Sequence, residues 1–130
     1  MKLLASVRIG LTNFMSLRGR ASRSEFWLFE ALLTLVLALV IVIASLVHAR
    51  FPKDETLFGI VFWSIYGILV LGSWAAAARR LHDRNRSAWH LLWIFLPFAG
   101  GLVLLIWWCR IGTSGPNRYG EDPLASSDAS

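Results

Sequence analysis

The side chains best suited to chemistry lie in one polar segment, residues 79–87, which separates two long apolar runs. This segment places His82 beside Asp83, a pairing that general-base catalysis or a metal site can use. A zinc site needs three or four protein ligands, but the other histidines and the single cysteine lie elsewhere in the sequence. We therefore expect no metal, and we predict that Asp83 pairs with neighbouring arginines and that His82 caps or packs at the helix end.

Other signatures of catalysis do not occur in this sequence. It has no Gly-x-Ser-x-Gly motif, no cysteine beside a histidine, and no phosphate-binding glycine loop followed by lysine. A membrane enzyme is a minority hypothesis, because it requires His82 and Asp83 to meet Glu25 or Asp122. We expect instead a protein with no catalytic residues and no cofactor.

Arginines cluster at the ends of the apolar runs. The net charge of +5 would indicate nucleic acid in another context, but arginines beside apolar runs set membrane orientation and contact anionic lipid headgroups. Besides lipids, the candidate partners are further copies of the chain or another membrane protein, and not nucleic acid. Glu25 is expected to offset part of the charge. The residues predicted to bind on one shared cytoplasmic face are Arg20, Arg23, Arg79, Arg80, Arg84 and Arg86.

Glu30 is the only carboxylate inside the first apolar run. It begins a sparse polar stripe, continued by Thr34, Ala38, Ser45 and His48, that falls within roughly an 80° arc of a helix. A proton or ion site inside the membrane is one interpretation of Glu30. Pairing with an arginine at the interface is the interpretation we favour. The alternative function is an oligomeric transporter or channel subunit lined by this stripe.

Three apolar runs must position these side chains: residues 26–47, 57–78 and 88–109. The 130 residues are 56% hydrophobic and 16% charged, against about 45–50% and 25% in soluble domains, and the mean hydropathy is +0.57. A run of about 22 residues makes a helix roughly 33 Å long, which crosses a hydrocarbon core of about 30 Å. We predict an all-α membrane protein with three transmembrane helices, a single domain over 1–123, and a disordered tail over 124–130.

The third run has two interpretations, because Pro97, Gly100 and Gly101 interrupt it. Proline removes a backbone donor and glycine is flexible, so the run kinks or turns back. A re-entrant hairpin would return Arg110 and the tail to the cytoplasm, but its short arms would leave irregular backbone that needs protein cover. Length favours a kinked third crossing.

Local signals predict where helices begin. Ser22 and Glu25 fit a capping box before the first run, and Ser87 is a suitable N-cap for the third. Residues 3–17 predict a short amphipathic helix on the membrane surface. Its inward side chains are predicted to be Leu4, Val7, Leu11 and Phe14.

The distribution of lysine and arginine predicts the orientation. Five of these residues precede the first run, two lie between the first and second runs, and four lie between the second and third. The positive-inside rule then places the N-terminus and the 79–87 segment in the cytoplasm, and residues 48–56 outside. We predict a multi-pass protein.

Three ordered motifs resemble those of a known family. They are residues 19–27 (GRASRSEFW), 80–89 (RLHDRNRSAW) and 112–123 (GTSGPNRYGEDP). Over about residues 12–123 the chain resembles the small bacterial inner-membrane family catalogued as domain of unknown function number 805. The resemblance implies an integral protein of the bacterial inner membrane, with no established reaction, cofactor or substrate. Asn85 stands where the family often has glycine, which implies a left-handed backbone position that asparagine tolerates.

Overall fold

The computed structural model describes residues 2–51 and 55–125. Within these residues the chain is helical, with no strand beyond an isolated bridge between Asn117 and Gly120. Residues 52–54 and 126–130, and with them Lys53 and most of the predicted disordered tail, lie outside the description. The elements are α1 (Lys2–Thr12), α2 (Arg23–Arg50), α3 (Glu55–Asp83), a 3₁₀ helix (Ala88–Phe95) and α4 (Gly100–Cys109).

Helices α2 and α3 form the long pair that the first two apolar runs predict. They contain 28 and 29 residues, so each is about 42 Å long and exceeds a hydrocarbon core of about 30 Å. Both are long and apolar enough to cross a membrane, and only 6% of the most apolar window of each is buried inside the chain. A core helix of a soluble protein would bury that surface, because large exposed apolar patches are rare on soluble monomers.

The tightest packing between the two long helices lies at one end of the pair. Phe26, Phe29 and Leu33 of α2 pack against Ala76 and Ala77 of α3. Alanines let the two backbones approach closely, as small residues do between membrane helices. This end also holds the polar residues described below, while the rest of each helix presents its leucines, isoleucines and valines outward.

The third apolar run is not one helix. It forms the 3₁₀ helix, then a turn at residues 96–99, and then α4. Pro97 offers no backbone donor, Phe98 has a left-handed φ of 66°, and a Cβ on Gly100 would lie 1.6 Å from the carbonyl oxygen of Trp93. The kinked single helix that length favoured is therefore wrong, and residues 88–109 form a hairpin whose arms are each roughly 15 Å long.

The N-terminal helix α1 packs across α2. A Cβ on Gly10 would lie 2.6 Å from the ring of Phe29, so only glycine permits this approach. Phe14, just after α1, places its ring against Phe29 and over Gly72 of α3. Phe14 therefore packs against both long helices, whereas the side chain of Leu11 is 52% exposed, so its contact with the membrane stays a prediction. The side chain of Leu4 lies outside the described ones.

The predicted helix starts are present. The Ser22 hydroxyl accepts a hydrogen bond from the Glu25 amide at 3.2 Å, and the Ser87 hydroxyl accepts one from the Trp89 amide at 3.4 Å. Asn85 has a φ of 55° and ends the turn after α3 in the left-handed region. These three local predictions are confirmed.

Candidate functional site

A buried cluster of charged side chains joins α2, α3 and the C-terminal tail at one end of the helix pair. At its centre the Asp83 carboxylate receives two guanidinium groups. Arg20 donates from Nε to Oδ1 at 3.0 Å, and Arg80 contacts Oδ2. Arg80 is 0% exposed, Asp83 3% and Arg20 8%. We call these three residues the arginine clamp.

The other donors of the clamp bind backbone carbonyl oxygens, most of them in residues 108–120, and Arg80 also donates to the Ala21 carbonyl at 3.2 Å. Arg20 donates to the carbonyl oxygens of Gly115 at 2.6 Å and Thr113 at 2.5 Å. Arg80 donates to the carbonyl oxygens of Trp108 at 3.0 Å and of Arg110. Arginine suits this arrangement because its planar fork carries five donors in fixed directions. The clamp therefore fastens residues 108–120 to the ends of α2 and α3.

The tail closes over the end of α3 through further bonds. The Thr113 amide donates to the Asp83 carbonyl at 2.8 Å, and the Asn117 amide group donates to the His82 carbonyl at 3.0 Å. A Cβ on Gly112 would lie 1.9 Å from Asp83 Oδ2, so no larger residue fits where the tail passes the clamp. The tail turns at residues 117–120, where the Tyr119 amide donates to the Asn117 side chain at 2.8 Å.

His82 packs beside the clamp and takes part in the same closure. Its Nδ1 lies 3.2 Å from the carbonyl oxygen of Gly19. Its ring stacks on Tyr119, with centroids 3.9 Å apart and planes 5° from parallel. The side chains of His82 and Asp83 are thus engaged within the chain. No group of three or more potential metal ligands occurs among the described residues.

Glu25 makes a second buried ion pair beside the clamp. Its carboxylate accepts from Nη1 of Arg79 at 2.7 Å, and both side chains are buried. The Glu25 carboxylate also interacts with the Ser22 backbone amide, as the reciprocal half of the predicted capping box requires. The predicted pairing residues Glu25, His82 and Asp83 therefore meet in one cluster, with partners from three parts of the chain.

The six arginines predicted to bind lipid fall into two sets. Arg20, Arg79 and Arg80 are buried and paired inside the chain, so their predicted headgroup role is corrected to internal pairing. The other three lie at the surface or half-buried: Arg23, Arg84 and Arg86.

The surface arginines differ in what holds them. Arg84 donates to the carbonyl oxygen of Ile111 at 2.8 Å. Arg86 lies over the ring of Trp107 at 3.9 Å, a cation–π contact. Arg23 is exposed and makes no side-chain hydrogen bond or ion pair with any described residue.

Sequence reasoning missed the role of the tail in this cluster. Backbone carbonyls of residues 108–120 accept most of the clamp's hydrogen bonds. Because every residue has a carbonyl, the sequence does not show which of them accept. Asp122 braces the tail, because it accepts amide bonds from Gly115 at 2.9 Å and Leu124 at 3.0 Å. These bonds to its charged form lower the pKa of the Asp122 carboxyl. The glycines of the tail were the sequence feature that could have indicated its close packing against the cluster.

Glu30 does not pair with an arginine, which corrects the favoured interpretation. Its two carboxylate oxygens lie 2.9 and 3.0 Å from the Ser73 hydroxyl of α3. The other residues of the stripe are exposed on the surface of the chain: Thr34, Ala38, Ser45 and His48. Thr34 and Ser45 bond carbonyls of their own helix, and His48 is exposed and lies near the Phe58 ring.

The chain is similar to known proteins over nearly its whole length. A family model described as "Protein of unknown function (DUF805)" matches residues 14–121. Inner membrane protein YhaH of Escherichia coli strain K12 is 41% identical over 117 residues, which cover 87% of this chain and 91% of that protein. Inner membrane protein YhaI of the same strain is 41% identical over 119 residues, covering 91% and 94%. No solved structure gives a significant match. The chain therefore belongs to the DUF805 family.

Proposed function

We propose that this protein is a multi-pass protein of the bacterial inner membrane whose cytoplasmic end binds anionic phospholipid headgroups. In this proposal α2 and α3 cross the membrane, and residues 88–109 enter it as a re-entrant hairpin. Relatives 41% identical are named inner membrane proteins, and both long helices expose almost all of their apolar surface. The positive-inside rule supports a cytoplasmic position for the polar end.

The proposal rests on the division of the arginines into buried, paired residues and surface residues. The buried ones are neutralised by Asp83 and Glu25 or saturated by carbonyls, so they contribute little to binding outside the chain. The others surround the same end of the helix pair, and we call them the cationic rim. They are Arg18, Arg23, Arg84, Arg86, Arg110 and Arg118.

The cationic rim lies where a bilayer presents its headgroups. Arg23 begins α2, Arg84 follows α3, and Arg110 follows α4. All three helix ends are joined by the clamp, which fixes them at one level. An arginine near an anionic membrane surface contributes about 1 kcal/mol to binding. The cationic rim would therefore favour binding to an anionic leaflet, and this role requires no catalysis.

The test uses Arg18 and Arg110, two of the three rim arginines whose side chains have no hydrogen bond, ion pair or cation–π contact with a described residue. Phosphatidylglycerol is titrated into detergent-solubilised protein, and native mass spectrometry gives its apparent affinity, with phosphatidylcholine as the neutral reference. We expect R18Q/R110Q to bind phosphatidylglycerol roughly 10- to 30-fold more weakly, from about 1 kcal/mol per arginine. The control R50Q removes a charge at the opposite end of α2 and should bind as the wild type does. Equal affinity for the two lipids in the wild type would refute the proposal.

A further inference from the structure

A groove opens beside the start of α2, within the cationic rim. It has a volume of about 490 Å³, and its walls include Ser22, Arg23, Ser24, Trp27, Leu28 and Cys109. Volumes of about 300–1,000 Å³ are typical of ligand sites. The groove joins the first turns of α2 to the end of α4, two elements that the clamp holds together.

The groove is polar at one end and apolar along its wall. Ser22, Arg23 and Ser24 line the end that lies at the start of α2, where the hydroxyl groups of Ser22 and Ser24 are 3.2 Å apart. Trp27 and Leu28 form the wall one turn further along α2, about 6–8 Å deeper at 1.5 Å per residue. A donor-rich end above an apolar wall matches the order of phosphate and acyl chain in a phospholipid.

Three rim arginines, Arg18, Arg23 and Arg110, make no side-chain hydrogen bond, ion pair or cation–π contact with a described residue, and only Arg23 of the three lines this groove. Arg84 binds a carbonyl, Arg86 covers an indole ring, and Arg118 binds the Asn85 carbonyl at 3.1 Å. Arg23 makes no such contact with the described residues, and it is the rim arginine that lines this groove. An unpaired guanidinium beside a groove is available to a phosphate in a way that the engaged arginines are not.

We propose that this groove binds one anionic phospholipid, with its phosphate on Arg23 and the two serines and the first part of an acyl chain along Trp27 and Leu28. The inference rests on the proposed function, because it needs α2 to enter the membrane at Arg23. A free phosphate would use the polar end alone and would leave the wall uncovered. A phospholipid covers both, and an interfacial tryptophan fits that depth.

Cys109 gives a direct measurement of occupancy. It is the only cysteine of the chain, it is exposed, and it lines the groove. We expect saturating phosphatidylglycerol to slow its reaction with a maleimide in the wild type, and phosphatidylcholine to slow it much less. The R23Q variant should lose this protection and bind phosphatidylglycerol about five- to tenfold more weakly. R23K should restore most of the protection, because it keeps the charge.

R18Q is the matched control, since Arg18 is an exposed rim arginine outside the groove, and it should keep the protection of Cys109. If R23Q and R18Q weaken binding equally while Cys109 reactivity never changes, the groove site is refuted but the cationic rim stands. If the wild type shows no preference for phosphatidylglycerol, the proposed function itself fails. If sn-glycerol 1-phosphate protects Cys109 as well as the lipid does, the site takes a soluble phosphate and the lipid assignment is overturned.

Discussion

At the residue scale, the clamp is a buried charge cluster with one carboxylate for two guanidinium groups. Asp83 touches both arginines, and tail carbonyls take donors that the carboxylate cannot reach. Two buried cations with a single counter-ion would be costly in a dry interior. The carbonyl dipoles spread that cost, which explains why the tail is part of the site.

Replacing the shared carboxylate tests this charge balance. We expect D83N to lower the free energy of unfolding by about 3–5 kcal/mol, because it leaves Arg20 and Arg80 buried without their counter-ion. Reversible unfolding of the detergent-solubilised protein, followed by circular dichroism, measures the change. The control E121Q alters an exposed carboxylate and should shift stability by no more than about 0.5 kcal/mol. Equal stability of the two variants would show that Asp83 does not hold the clamp.

The sequence predicted part of this site. Its charged residues Glu25, His82 and Asp83 were expected to pair, because polar residues beside apolar runs need partners. Their partners were predicted only in part. Arg80 is a neighbouring arginine of Asp83, as predicted, but Arg20 lies 63 residues away and the tail contributes carbonyls. Glu30 was misread for a similar reason. Its partner is a serine on another helix, and no local pattern marks Ser73 among the other hydroxyl residues.

At the scale of elements, the long helices were predictable and the hairpin was only an alternative. A continuous apolar run of about 22 residues specifies a spanning helix by length, and α2 and α3 follow that rule. In residues 88–109 the length rule and the local breakers conflict. The breakers prevail because Pro97 cannot donate a backbone hydrogen bond within a helix, and because Gly100, which has no Cβ, lets the chain return close to the Trp93 carbonyl.

Two adjacent glycines, Gly100 and Gly101, allow the packing of this turn to be tested. We expect G100A to destabilise the protein by at least about 1–3 kcal/mol, the usual cost of overpacking, because its Cβ would overlap the Trp93 carbonyl. The control G101A introduces the same methyl group 3.9 Å from the nearest side-chain atom, and should be tolerated. Thermal unfolding of both variants in one detergent makes the comparison. A stable G100A protein would mean that the hairpin is not packed as described.

At the scale of the whole molecule, one end is polar and held together by hydrogen bonds and ion pairs, while the remainder is an apolar helix pair. The segment before α2, the end of α3, and the tail after α4 all meet at the clamp. The hairpin arms are roughly a third as long as the two long helices. In the proposed orientation this arrangement gives two crossings, although the three apolar runs in the sequence suggested three.

The positions of the two termini test that arrangement. With the proposed orientation, reporters fused before residue 1 and after residue 130 should both give a cytoplasmic signal, because the tail returns to the end where α2 begins. A reporter inserted after Phe51, at the opposite end of α2, should give an external signal. Compartment-sensitive enzymes expressed in intact cells make the measurement. An external signal from the C-terminal fusion would establish three crossings and exclude the re-entrant hairpin.

Because the clamp binds the tail, closure of this end depends on the last part of the chain to be synthesised. Four of the five hydrogen bonds described for Arg20 end on residues 113–120, which the ribosome delivers after both long helices. Arg80 depends on the same late part of the chain, because the carbonyl oxygens of Trp108 and Arg110 accept two of its hydrogen bonds. A chain that ended after α3 would keep Asp83 but would lack these carbonyl acceptors, so its polar end could not close as it does in the full chain.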